Sequence, residues 1–122
     1  MTWTLDKSRP ICPQICELIC AAVANGEYSA GEKLLSVREI ALVAGVNPNT
    51  VQKSFEELER RGVIHSVRCS GWYVNENTKA AAQELKALRI SKTREYLAEM
   101  AQLGCDPDEI IEYINECKGG NQ

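Results

Sequence analysis

The sequence predicts a mostly α fold with a small β-wing: a winged helix-turn-helix followed by a C-terminal helical hairpin. Three observations carry this reading. Two short helix patterns lie on either side of Gly45, and the second opens at Asn47-Pro48. Two strand-like runs, 63–67 and 72–74, follow Gly62 and are joined through Cys69-Ser70-Gly71. From residue 79 the helical periodicity returns, broken once at Gly104. The domain junction falls after residue 76, with 1–76 as the winged helix-turn-helix and 77–122 as a helical tail.

Residues 1–9 are polar and lead into Pro10, which fits an arm. Over 11–25, Ile11, Ile15, Leu18, Ile19, Ala22 and Val23 share one helical face, and Gln14, Glu17, Ala21 and Asn25 share the other. Gly26 ends that helix. The second helix opens at Ser36, where Ser36 and Glu39 have capping-box spacing, and Ile40, Ala41 and Val43 supply its apolar content. Asn47 is a favoured N-cap and Pro48 a favoured first helical residue, so the third helix starts there and buries Val51, Phe55 and Leu58. In the tail, Ala82, Leu85, Tyr96, Leu97, Met100 and Leu103 fall in one broad stripe. Asp106-Pro107-Asp108-Glu109 restarts a helix whose apolar face holds Ile110, Ile111, Ile114 and Cys117.

A chain of 122 residues holds one compact domain plus an appendage. No apolar run approaches the ~20 residues that cross a bilayer. The start, Met1-Thr2-Trp3-Thr4, lacks the basic and apolar regions of a signal peptide, so a cytoplasmic protein without membrane contact is expected. The net charge of -3 is spread as eight Lys/Arg against nine Asp/Glu over 1–78 and six against eight over 79–122. Neither part is a basic tail, so any nucleic-acid affinity has to come from a few cations gathered on one face. Six cysteines in a chain with no secretory leader read as reduced thiols, and their spacing lacks the paired C-x-x-C of structural zinc.

The stretch from Gly26 to Val74 resembles the GntR family of bacterial transcriptional regulators. The match rests on Gly26, Gly31, Leu34, Ser36, Arg38, Glu39, Ala41, Gly45, Val46, Asn47, Thr50, Val51, Leu58, Gly62, Ile64, Gly71, Tyr73 and Val74. These follow the family's G-x(4)-G-x-x-L-P-S-x-R-E-L-A, V-S-x-x-T-V and G-x-F/Y-V patterns, and Pro10-Ile11 with Gln14-Ile15 is similar to its P-I-Y-x-Q-I opening. Leu35 stands where the motif has Pro, Pro48 and Gln52 where relatives often carry Arg, and Cys69 where the wing has Gly. The short tail is similar to that of the YtrA-like branch. That resemblance implies a homodimeric repressor, often encoded beside transporter genes, that reads double-stranded DNA at a palindromic operator. It also implies a dimerising tail, with Leu85, Tyr96, Leu97, Met100, Leu103, Ile110, Ile111 and Ile114 as its residues. No cofactor or metal is implied, and no effector is named.

Side-chain chemistry supports a reading face. Asn47, Asn49, Thr50, Gln52 and Lys53 occupy the first turn and a half of the third helix, ahead of the first acid, Glu56. Asn and Gln pair bidentately with adenine, Lys donates to guanine, and Thr touches a thymine methyl or a phosphate. Arg38 sits near the start of the second helix, placed either to face a phosphate or to pair with Glu39. Arg68, Ser70 and Gly71 form the wing tip, either a minor-groove contact or an ordinary hairpin turn. Strand alternation places Trp72 and Tyr73 on opposite faces, which argues against a stacking platform. His65 has no partner evident in the sequence. Cys12, Cys16 and Cys20 line one flank of the first helix, with Cys20 drifting to its polar edge. A thiol- or metal-responsive regulator is therefore one alternative, and a protein-interaction module on the same fold is another. There is no nucleophile–base pair, phosphate loop or carboxylate pair to suggest an enzyme.

Overall fold

The structure is a computed structural model and describes residues 2–120. In chain order it contains α1 (Ile11–Ala24), α2 (Val37–Ala44), α3 (Pro48–Arg60), β1 (Ile64–Val67), β2 (Gly71–Val74), α4 (Lys79–Gln102) and α5 (Pro107–Gly120). Helices with one two-stranded antiparallel sheet make the expected winged helix-turn-helix and helical tail. The chain forms two compact units, one running to Lys86 and one from Ala87. The first therefore takes in the start of α4 as well as the wing.

Local chemistry sets the ends of the helices. At α2, Glu39 N–H donates to Ser36 Oγ (3.1 Å) and Ser36 N–H donates to Glu39 Oε1 (3.0 Å), so each side chain satisfies an amide that the first turn leaves unpaired. Gly45 closes α2 in the left-handed region, at φ +69°. At α3, Asn49 N–H donates to Asn47 Oδ1 (2.8 Å) and Pro48 occupies the first helical position. Asn77 Oδ1 accepts from Lys79 N–H (3.0 Å) where α4 begins.

The core of the first unit is built from Ile15 and Ile19 of α1, Ile40 of α2, Val51, Phe55 and Leu58 of α3, and Ile64 and Val74 of the strands. Phe55 is fully buried and meets Trp72 edge-on, with ring centroids 5.3 Å apart. The stretch from Gly31 to Leu34 also pairs with β2. Gly31 N–H donates to Val74 O (3.0 Å), Val74 N–H to Glu32 O (2.9 Å) and Leu34 N–H to Trp72 O (2.9 Å). This pairing holds the start of α2 against the wing.

Several sequence-based assignments change. Gln14 and Cys20, read on the polar side of the first helix, are buried. The reason is that α1 is covered on more than one flank: Ala81 at the start of α4 joins Cys16 and Cys20 in the core. Leu18 is only half-buried. In α2 the inward residue is Ala44, while Val43 is 60% exposed and Leu42 84%. At the start of α4 it is Ala81 that is buried and Ala82 that is exposed. The wing turn is Arg68–Cys69–Ser70, since Gly71 already pairs with Val67 in the ladder.

In the second unit Gly104 (φ +76°) ends α4, and Cys105 N–H donates to Met100 O (3.0 Å). A second capping box starts α5: Glu109 N–H donates to Asp106 Oδ1 (2.9 Å) and Asp106 N–H to Glu109 Oε1 (3.3 Å). Among the expected tail residues Ile110 is buried, Leu97 and Met100 are half-buried, and Tyr96, Leu103, Ile111 and Ile114 are exposed. Leu85 is buried in the first unit, so its side chain is already spent on folding the single chain. No helix among the described residues is long and apolar enough to cross a membrane.

Candidate nucleic-acid interface

The buried stripe of α3 (Val51, Ser54, Phe55, Leu58) dictates what its other face presents. Asn49, Gln52, Lys53 and Glu56 recur at helical spacing on the exposed side, with Thr50 half-buried at its margin. Asn47 is exposed, and its side-chain oxygen is committed to the cap. Ser54 is fully buried inside this helix. Its hydroxyl donates to Thr50 O (2.9 Å), with Cys12 O also in reach (3.3 Å), and its own carbonyl accepts from Cys16 Sγ (3.6 Å). These bonds lock α3 to α1 and keep the outer face turned outwards. The i, i+3, i+4 pattern of the buried stripe already marks Ser54 as inward, a placement the sequence reading did not draw.

Arg38 is exposed and does not pair with Glu39. The Glu39 carboxylate is held by the capping box, and the hydrogen bonds from Ser36 keep its pKa below the ordinary value. The guanidinium is thus left available. The pairing of Gly31–Leu34 with β2 carries a further cation, Lys33, to the wing. A cleft of about 320 Å³ between the start of α2 and the wing is lined by Lys33, Ser36, Arg38, Ser70 and Gly71, among others. Lys33 was missed from sequence because 31–34 is too short to show a strand period.

A net charge that looks unhelpful is therefore segregated. The acids of the first unit are largely occupied. Glu57 binds Arg60 and Arg61, Arg61 also reaches Glu84 (3.3 Å), Asp6 binds Arg9, and Glu59 accepts from Ser66. The side chains of Lys33, Arg38, Lys53 and Arg68 make no hydrogen bond or ion pair among the described residues. A surface with unneutralised cations on α2, α3 and the wing suits a polyanion.

At the wing, Arg68 and Ser70 are exposed, and the Ser70 hydroxyl is bonded to Tyr73. Cys69 takes a left-handed conformation (φ +63°), and Gly71 lies at φ +141°. A Cβ on Gly71 would approach Lys33 Cε to 3.1 Å, so glycine serves both the turn and the close passage of Lys33. Tyr73 stacks over His65, whose Nδ1 lies 2.5 Å from Asn75 Oδ1, and Asn75 Nδ2 donates to Gly62 O (2.7 Å). His65 is thereby a wing-base packing residue. Trp72 faces the core, which removes the stacking platform.

The thiol row on α1 is buried chemistry. Burial raises the Cys16 thiol to about 12 and the Cys20 thiol to about 11, the latter with help from the Glu84 charge. Both stay protonated and unreactive near neutrality. Among the described residues no three His, Cys, Asp or Glu side chains converge as a metal site.

Fold and surface together define a winged-helix regulator of transcription that binds DNA. Residues 13–74 match the model of the bacterial regulatory proteins of the gntR family. The chain belongs to this family. It is 35% identical over 120 residues to the HTH-type transcriptional repressor YtrA of Bacillus subtilis, covering 94% of this chain and 92% of that protein. It is also 35% identical over 113 residues to the regulator YhcF of the same organism, covering 89% of this chain and 90% of YhcF. A GntR family transcriptional regulator from Listeria monocytogenes has the same architecture, with a TM-score of 0.80 at 37% identity over 92% of this chain and 98% of that one. All three are named as regulators of transcription.

Proposed function

We propose that the protein is a homodimeric repressor that binds a palindromic operator in the promoter of its own operon, with transporter genes among its targets. The observation that carries this reading is the exposed polar outer side of α3 together with Arg38, Lys53 and Arg68, whose side chains have no partner among the described residues. Asn47, Asn49, Thr50 and Gln52 are proposed to read base edges from the major groove. Lys53 and Arg38 bind phosphates, and Arg68, Ser70 and Gly71 place the wing on the minor groove. Residues 1–76 are the DNA-binding domain and 77–122 the dimerisation tail. Of the tail residues, Tyr96, Leu103, Ile111 and Ile114 offer large apolar surface in the single chain, which is the form of surface a second copy covers. Leu97 and Met100 are half-buried and Ile110 is buried in the same unit, whereas Leu85 lies in the first unit and is already covered there. Its kinship to a named repressor supports the negative sign of control.

The deciding experiment is binding-site selection followed by sequencing, together with a gel shift on the upstream region of its own operon. The expected product is an inverted repeat whose half-sites lie about one helical turn apart. Arg38→Ala and Lys53→Ala should each lower the salt slope of binding by about one per bound protomer, about two for the dimer. Failure of the wild-type protein to bind any such sequence at low salt would overturn the proposal.

A further inference from the structure

The arm that precedes α1 is tied down with unusual thoroughness for a polar terminus. Gln14, only 7% exposed, spends its whole amide on it. Its Nε2 donates to Asp6 O (2.8 Å) and Pro10 O (2.9 Å), with Arg9 O at 3.3 Å, and its Oε1 accepts from Asp6 N–H (2.8 Å). The Asp6 carboxylate is in turn taken by the Ser8 amide and hydroxyl and by Arg9 Nε. The acid adjacent to Lys7 in the chain is thereby occupied. So anchored, the arm lays Lys7 across the helix-turn-helix, where its Nζ donates to Gly45 O (3.0 Å). That carbonyl uses one of the three ammonium donors, and no carboxylate pairs with the others among the described residues. Gly45 precedes the N-cap Asn47 by two residues, a reach of about 7 Å at most.

We infer that the N-terminal arm is a third DNA-contacting element, with Lys7 as a ligand for a backbone phosphate and Gln14 as the residue that positions it. A helix that enters the major groove by its N-terminus brings the turn before it to the sugar–phosphate rim, where an ammonium meets the polyanion. The contact carries no base information and sets the depth and register of α3 in the groove. This inference rests on α3 being the base-reading helix.

The test uses the full chain and a duplex recovered by binding-site selection, with affinity measured across a salt series. Lys7→Gln should lower the slope of log K against log salt by about 0.9 per bound protomer, about 1.8 for the dimer, so that its deficit against wild type shrinks about twelvefold between ~50 and ~200 mM salt. Lys7→Arg should restore the wild-type slope. Gln14→Ala should reproduce the lower slope while Lys7 is still present, and the double variant Lys7→Gln/Gln14→Ala should fall no further than either single one. A merely structural Gln14 would lower the melting temperature and leave the slope untouched, which would overturn its positioning role. Wild-type binding with an unchanged Lys7→Gln slope would overturn the arm contact while leaving the function of α3 intact. An absence of wild-type binding to any sequence would overturn both.

Discussion

The wing turn carries two glycine questions with opposite answers, and exchanging residues there measures them. Cys69 sits at φ +63°, in the left-handed region that favours glycine. A side chain with a Cβ in that region costs roughly 1–2 kcal/mol, from the clash between Cβ and the following carbonyl. Glycine relieves this and gives back about 0.5–1 kcal/mol through its greater freedom in the unfolded chain. The net gain for Cys69→Gly is therefore about 0.5–1 kcal/mol, or about 2–6 °C in melting temperature for a unit of this size. Cys69→Ala keeps the Cβ and should melt with the wild type, which separates backbone strain from loss of the thiol. At Gly71 the sign reverses. Its φ of +141° belongs to a region other residues enter at about 1–3 kcal/mol. The new methyl would also press on Lys33 Cε at 3.1 Å, although that flexible stem can retreat, so backbone strain dominates. Gly71→Ala should lose about 5–15 °C. Thermal melts by circular dichroism under reducing conditions read all three variants. A Cys69→Gly protein that melts at or below Cys69→Ala would refute the strain argument.

Three further outcomes follow from the same geometry. Phe55→Ala empties the centre of the core beneath Trp72 and should cost about 3–5 kcal/mol, measured by urea unfolding; a loss under about 1 kcal/mol would mean that the site collapses freely. Hydrogen bonds from Arg60 and Arg61 hold the Glu57 carboxyl at about 2, below its ordinary 4.5. A depressed carboxyl contributes stability above its unfolded pKa and loses it as the pH falls towards the folded one, so the wild-type melt should weaken between about pH 4.5 and 2. Glu57→Gln should flatten that slope, and an unchanged acid limb would remove Glu57 from the account. In thiol titration at about pH 8, exposed Cys69 and Cys117 should react quickly, while Cys16 and Cys20, with thiolate fractions of about one in ten thousand and one in a thousand, wait for unfolding. Rapid native modification of either buried thiol would contradict their burial.

Much of the fold was legible in the chain because its signals are local. Ser36 with Glu39, and Asn47 before Pro48, declare helix starts through atoms only two or three residues apart. Gly45, Gly62 and Gly104 declare stops because glycine enters the left-handed backbone that ends a helix without a Cβ clash. The 3.6-residue repeat of Val51, Phe55 and Leu58 fixes the inner face of α3 and, by subtraction, the outer face of Asn49, Gln52 and Lys53. Tertiary structure decided whatever depends on a second element arriving. Gln14 and Cys20 look solvent-facing on a single helical wheel and are buried because other segments cover α1. Val43 looks apolar enough to be core and lies outside because α2 turns Ala44 inwards. The availability of the cations also belongs to the tertiary structure. Sequence reports a net charge of -3, and only packing shows that capping, ion pairs and turn contacts occupy many of the acids while Lys33, Arg38, Lys53 and Arg68 have no partner among the described residues. Charge is a sum over residues and can be counted along a chain, whereas a field depends on where the charges sit, and that is set by the fold.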